Sequence, residues 1–216
     1  PSLYAMIARA YMDEYQLTSQ ELALVAVKNH HNATLNPLAQ FQREVTIEQV
    51  TNSTIVASPL SILDSSPITD GAAAVILTNQ KKSGPQIVAS QVATDALSLH
   101  DRDSLTEIKA AQIASKMAFN QSGLNIKDID IAEVHDCFSI AEILAYEDLG
   151  IAKKGKAKEL LIKHKTDIDG EIPVNTSGGL KACGHPIGAT GVKQIIEITR
   201  QMTQKAGKRQ VRTVSY

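Results

Sequence analysis

The chain has 216 residues, enough to bury the core of one large domain or two small ones. With 43% apolar and 21% charged residues it has the composition of an ordinary soluble globular protein, and a net charge of -1 gives it no field for nucleic acid or an anionic membrane. No apolar run approaches the roughly 20 residues that cross a bilayer, and two cysteines cannot build a disulfide framework, so a reducing compartment is expected.

In chain order, Leu3, Met6, Ile7, Ala10 and Tyr11 recur at helical spacing and predict a helix over 3–15. Thr18 and Glu21 form a capping box that starts a second helix. Residues 29–42 are polar, rich in His and Asn, and broken by Pro37, which predicts an irregular loop; 46–50 read as a short helix or turn. Asp64–Gly71 is turn chemistry leading into a buried strand over 72–78. Lys81-Lys82-Ser83-Gly84-Pro85 marks a linker dividing 1–84 from 85–216. Beyond it, strands at 86–93 and 129–134 alternate with helices over 105–120 and 139–149, the last closed by Gly150. Residues 151–172 are a Lys-rich excursion with local helix at 156–163. Thr190 caps a final helix whose Val192, Ile195, Ile196 and Met202 share a face, ended by Gly207. The alternation implies α/β packing around a mixed sheet. Val211–Tyr216 reads as a strand cut off in mid-course, and the chain opens on Pro1 without an initiator Met, so a fragment is expected. The basic groups Lys153, Lys154, Lys156 and Lys158, and Lys205, Lys208, Arg209 and Arg212, read as solvated faces.

Two short segments concentrate the chemistry. Asn175–Gly191 sets His185 among five glycines directly ahead of an apolar helix, and His135-Asp136-Cys137-Phe138-Ser139 follows the strand over 129–134. Each cysteine lies two residues from a histidine. The carboxyl end of a strand is where active sites of open α/β sheets gather. Ser139 and Glu142 satisfy the S-x-x-E capping pattern, so a helix is expected from about Ile140, and Cys137 ahead of it sits in positive potential that favours thiolate. Cys137 is therefore either an acid/base thiol or a buried packing residue. The glycines around His185 clear side chains from a ligand's path, and backbone N–H groups at 188–191 can hold an oxyanion. Imidazole beside thiol suits chemistry on a carbonyl or thioester. The same four side chains, His135, Cys137, Cys183 and His185, also make a Cys₂His₂ zinc set, although their one-residue gaps are tighter than the usual spacing.

These residues resemble the thiolase family, in its sterol-carrier-protein-type and archaeal acetyl-CoA acetyltransferase branch. Gly184–Gly191 is similar to the family's GHP loop, and His135–Phe138 to the HDCF box of that branch. Ser66–Ala74 resembles the segment before the mid-chain strand; Lys28-Asn29-His30, Asn36-Pro37 and Gln40-Phe41-Gln42 resemble the substrate-covering loop region. The resemblance covers essentially the whole chain. It implies the α/β thiolase fold, layered αβαβα with mixed sheets and incomplete here: residues 1–84 would carry the end of the loop domain and the last part of the amino-terminal half, and 85–216 the carboxyl-terminal half, truncated before its last loop.

The resemblance also implies roles. His185 would be the base that activates a nucleophilic cysteine, His135 would help form an oxyanion hole, and Cys137 would move the α-proton. Ser66, Ser177, Gly178 and Gly179 would border the acyl-CoA channel. The nucleophilic cysteine has no counterpart in this chain, and Cys183 stands where the family usually has an apolar residue, so it reads as packing. The implied activity is thiolase-type acyl transfer through a cysteine acyl-enzyme, with the fragment alone inactive; a non-catalytic acyl-CoA-binding scaffold is the alternative. No cofactor or metal is implied: coenzyme A thioesters are substrates, and the partners are acyl-CoA, CoA and further copies in a homodimer or homotetramer, with no nucleic acid or membrane. Cytoplasm is the expected location, or the peroxisome in a eukaryote.

Overall fold

The computed structural model describes residues 1–80, 84–212 and 214–215. Helix α1 (Ser2–Tyr15) buries Ala5, Ile7, Ala8 and Tyr11 on one face and ends where Gln16 turns left-handed at φ 53°. Helix α2 (Ser19–Thr34) starts on the expected capping box, with Glu21 N–H donating to the Thr18 hydroxyl and Thr18 N–H to the Glu21 carboxylate. It runs further than expected. The first part of the irregular loop foreseen over 29–42 is helical: Asn29, His30 and Asn32 are buried there, with Asn29 Nδ2 donating to Asp136, His30 Nδ1 3.1 Å from Arg43 O, and Asn32 Nδ2 donating to Asn175 O. Only after Thr34 does the chain become irregular.

A capped single-turn helix α3 (Ile47–Thr51) leads into the antiparallel pair β1 (Ile55–Ala57) and β2 (Leu60–Ser61). Then follow α4 (Lys109–Ser122), ended by Gly123 at φ 73°, α5 (Ser139–Asp148) and α6 (Ala157–Ile162). The short α7 (Gly179–Cys183), which sequence periodicity does not reveal, lies inside the Gly-rich segment; α8 (Thr190–Met202) follows it and stops before Gly207.

Helix α2 is central and contacts α3, α5, α6 and α7. One core cluster joins Ala8, Tyr11, Leu22, Val25 and Leu60 with Ile140, Ile143, Leu144, Tyr146 and Val174, so residues on both sides of position 84 share it. Burying each large apolar side chain there contributes about 1.5–3 kcal/mol.

The strands expected at 72–78, 86–93 and 129–134 are not laddered among the described residues. Beyond β1–β2 there are three isolated bridges, Ser65 with Phe138, Ile68 with His185 and Ala132 with Val174. The apolar runs are real, but a strand needs a neighbour for its N–H and C=O groups, and among the described residues none pairs with the first two. Ile76 is 94% exposed, so the burial expected over 72–78 fails there too, and Val92 is 85% exposed. Of the linker, 81–83 lie outside the described residues, as do 213 and 216 of the expected final strand; Val211, Arg212, Val214 and Ser215 form no strand. No helix among the described residues is long and apolar enough to cross a membrane.

Candidate active site

One extended segment, 65–69, brings the two histidine-bearing segments together. At one end Ser65 bridges Phe138 and Ser66 N–H donates to the Cys137 carbonyl at 2.9 Å. At the other, Ile68 bridges His185, whose N–H donates to Thr69 Oγ1 at 3.0 Å. Residues 129–134 are held from the other side, by Ala132 N–H to Pro173 O at 3.0 Å and Asn175 N–H to Ala132 O at 2.9 Å. The result is an edge-to-face pair of imidazoles: the His135 and His185 rings lie 4.9 Å apart at 84°.

Several residues to which the sequence gives no such role orient His185. The Thr69 hydroxyl donates to Gln40 Oε1 at 2.6 Å, which fixes it as acceptor for the His185 amide. Gly184 has φ 110°, and a Cβ there would come within 3.0 Å of Thr69 and 3.1 Å of Gln40, so this approach requires glycine. Lys193 Nζ donates to Gly184 O at 2.9 Å and Gly179 O at 3.5 Å, joining the two Gly-rich turns. Thr190 is buried, with its Oγ1 2.7 Å from His185 Nδ1. It is the first residue of α8 and makes no capping bond, contrary to its expected role as cap. Ala189 and Thr190 N–H both donate to Pro186 O, so these two of the donors expected for an oxyanion are already used.

Both imidazoles are pushed below their ordinary range, first by removal from water. For His185 the neighbouring His135 and then Lys193 add to the effect; for His135 Asp136 opposes it and Lys193 adds. Both rings are thereby biased towards the neutral, proton-accepting form at neutral pH.

Asp136, next to His135 in the chain, joins a buried polar network. Lys28 pairs with Glu142 at 3.0 Å and donates to Val174 O at 2.6 Å. Asn29 Nδ2 donates to both Asp136 (2.8 Å) and Glu142 (2.7 Å), and Asn175 Nδ2 to Glu142 (2.6 Å). Tyr146 donates to the same carboxylate. Asp136 accepts from Leu180 N–H at 2.6 Å and Lys181 N–H at 3.3 Å, tying the His135 segment to α7. Burial, then the nearby Glu142 charge, raises the Asp136 carboxyl. Lys181 Nζ donates to Asp64 O at 2.7 Å, and Ser139 Oγ to Asp64 Oδ1 at 2.7 Å. The S-x-x-E box expected at Ser139 and Glu142 is therefore absent: α5 begins at Ser139 without a side-chain cap, and both side chains make tertiary bonds instead.

The structure thus pairs His135 with His185. The Cys137 sulfur packs with Ala141, Leu180, Tyr4 and Phe138, within hydrogen-bonding reach of the Tyr4 hydroxyl. Burial pushes its thiol up, opposite to the thiolate expected from its place ahead of a helix. Ser66 is half-buried beside it. Ser177 is buried, its N–H and hydroxyl both donating to Glu133 at 3.0 and 2.6 Å. Gly178 packs on Ala33, and Gly179 on the Asp136 carboxylate. Cys183 is half-buried, 3.5 Å from Asn36 Nδ2 and packed on Ala33, Ala39 and Ala182. Among the described residues no three His, Cys, Asp or Glu side chains are grouped to share a metal ion, so the Cys₂His₂ arrangement is not assembled.

Residues 91–216 match the family described as "Thiolase C-terminal domain-like", and residues 2–81 match "Thiolase, N-terminal domain". The chain belongs to the thiolase family. Acetyl-CoA acetyltransferase of Methanothermobacter thermautotrophicus is 54% identical over 98% of this chain and 57% of its own length. Benzoylsuccinyl-CoA thiolase subunit BbsB of Thauera aromatica is 39% identical over 98% and 56%, and human sterol carrier protein 2 is 36% identical over 98% and 41%. Among solved structures, the Ltp2-ChsH2(DUF35) aldolase superposes with a TM-score of 0.84 at 27% identity, over 99% of this chain and 58% of that one. A monomeric SCP2-thiolase-like protein type 1 from Mycobacterium smegmatis superposes at 0.70 with 16% identity, over 95% and 46%, a likeness of fold alone. This chain spans about half the length of these thiolase relatives. Its fold is the α/β thiolase fold, incomplete within these residues, with the short β1–β2 pair as its regular sheet among the described residues.

Proposed function

We propose that this chain supplies the acid/base and oxyanion half of a thiolase-type acyltransferase acting on coenzyme A thioesters. The observation that carries the reading is the edge-to-face contact of His135 and His185 across 4.9 Å, two rings biased towards neutrality and delivered from separate segments. In the cleavage direction, a cysteine thiolate outside the residues of this chain attacks the 3-keto carbon of a 3-ketoacyl-CoA. The bond between C2 and C3 breaks, its electron pair passing to the enolate of acetyl-CoA. His185 is the base that draws the proton from the attacking thiol, and His135 stabilises the enolate oxygen. Cys137, held as a neutral thiol, gives its proton to the enolate carbon; this suits it as the acid of the cleavage step. The CoA thiol then gives its proton back to Cys137 while its sulfur takes the acyl group, and the departing enzyme cysteine recovers its proton from His185.

General acid/base groups of this kind contribute about 10²–10⁴ in rate, and an oxyanion donor about 10²–10³. Ser66 and the Ser177–Gly179 turn border the acyl-CoA path in this reading. Since Ser177 and both glycines are occupied by internal contacts, their part is to shape the wall. The active species is an oligomer containing the remainder of the thiolase fold. CoA-dependent cleavage of acetoacetyl-CoA by the intact protein tests the proposal. Release of acetyl-CoA is expected; acyl-CoA binding without turnover would instead establish a non-catalytic scaffold.

A further inference from the structure

The Thr190 hydroxyl lies between two groups, His185 Nδ1 at 2.7 Å and the Pro186 carbonyl at 3.1 Å. The residue is 2% exposed, so water does not compete freely for its hydroxyl. A hydroxyl has one proton to give, and a carbonyl can only accept. Directed to Pro186 O, in the back-bonding geometry common for Thr four residues along a helix start, that proton leaves an oxygen lone pair facing the ring. Nδ1 must then carry a hydrogen to complete the bond. We infer that Thr190 is a positioning residue that fixes His185 in the Nδ1–H tautomer, so that Nε2 holds the lone pair used as base. The inference rests on the reading of His185 as the base.

Other features hold the peptide around His185, while Thr190 acts on the ring itself. Thr69 and Gln40 fix the His185 amide, Lys193 holds the Gly184 carbonyl, and the packing around Gly184 sets the approach of the chain. None of these decides which ring nitrogen is protonated. The hydrogen bond at one imidazole nitrogen sets the state of the other. A base with its proton on the wrong nitrogen cannot accept another there, and in the Ser-His-Asp triad a wrong tautomer costs about 10⁴ in kcat.

The test is a long-range ¹H–¹⁵N spectrum of the intact protein labelled at histidine nitrogens, recorded where the rings are neutral, with His185→Asn identifying the signals. The expected wild-type result is a proton-bearing Nδ1 and a bare Nε2. Thr190→Ser, which keeps the hydroxyl, retains this pattern. Thr190→Val moves the proton mainly to Nε2 and lowers kcat about tenfold or more with KM little changed. A wild-type His185 protonated on Nε2 overturns the inference, even if Thr190→Val fails to fold, and so does a Thr190→Val spectrum identical to wild type. If the spectra behave as expected while His185→Ala retains activity within tenfold, the tautomer assignment stands and the base role of His185 falls.

Discussion

Removing the Glu142 carboxylate should unseat the buried polar network that holds Asp136 and the His135 segment. Glu142 is fully buried and accepts from Lys28, Asn29, Asn175 and Tyr146. Its ion-pair partner Lys28 has a side chain only 4% exposed. Glu142→Ala therefore leaves an ammonium in the interior without its counter-ion and strands donors of two amides. Breaking one side of a buried pair costs about 3–5 kcal/mol, and each unsatisfied buried donor can add about 1–3 kcal/mol. For a chain of this size a loss of 4 kcal/mol lowers Tm by roughly 8–16 °C. Urea unfolding of the intact protein reads the change through the midpoint at constant m. The paired substitution Lys28→Met with Glu142→Leu should recover at least half of the loss, since an apolar replacement of both partners is often neutral. A loss below about 1 kcal/mol for Glu142→Ala, or a double variant worse than the sum of the singles, would refute this account of the network.

Three further outcomes follow from the same geometry. Burial raises the Glu133 carboxyl from its ordinary 4.5 to about 7 against the opposing Ser177 bonds; the folded state then binds more protons than the unfolded one between these values, and stability falls as pH rises through that window, by at most about 3 kcal/mol. Glu133→Gln should flatten the profile between pH 5 and 8, and an unchanged slope in urea titrations would contradict the assignment. Gly179 has φ 60°, and a Cβ there would lie 2.4 Å from Asp136 Oδ2, so Gly179→Ala should destabilise by about 2 kcal/mol or more, measured as a lower urea midpoint; a loss under 0.5 kcal/mol would show that the turn can relax. Cys137, 8% exposed with a raised thiol, should react with a thiol reagent at pH 7.5 at least about tenfold more slowly in the native protein than after unfolding, and equal rates would mean that the sulfur is open to solvent.

The helices were legible where local signals set them: Thr18 with Glu21 caps α2 as the sequence implies, and α5 and α6 lie within a residue of their expected bounds. Polar side chains misled where their partners are distant in sequence. Asn29 and Asn32 look like loop chemistry until Asp136, Glu142 and Asn175 supply partners more than a hundred residues away. Ser139 and Glu142 match a local capping pattern, yet Asp64 and Lys28 claim them. The apolar runs at 72–78 and 86–93 report a preference for burial, which pairing must complete, and the described residues offer no partner strand. Helix α8 shows a related effect: its buried side is Thr190, Glu197 and Gln201, with Glu197 gripped by Arg209 at 2.8 Å, while Ile195 is exposed. In the site itself, glycines and histidine spacing pointed to His135 and His185. Thr69, Gln40 and Thr190 lie in segments that the resemblance marks, and Lys193 in none, but the orienting role of all four comes from what they touch.

The central claim is that two imidazoles from separate segments act on one reacting centre. Thiolysis of acetoacetyl-CoA by the intact protein, compared for His135→Ala, His185→Ala and the double variant, tests it most directly. Residues acting as one unit lose activity non-additively, so each single change should cost at least about 10² in kcat/KM and the double little more than the worse single. Independent, multiplicative losses, or activity within tenfold of wild type after His185→Ala, would contradict it.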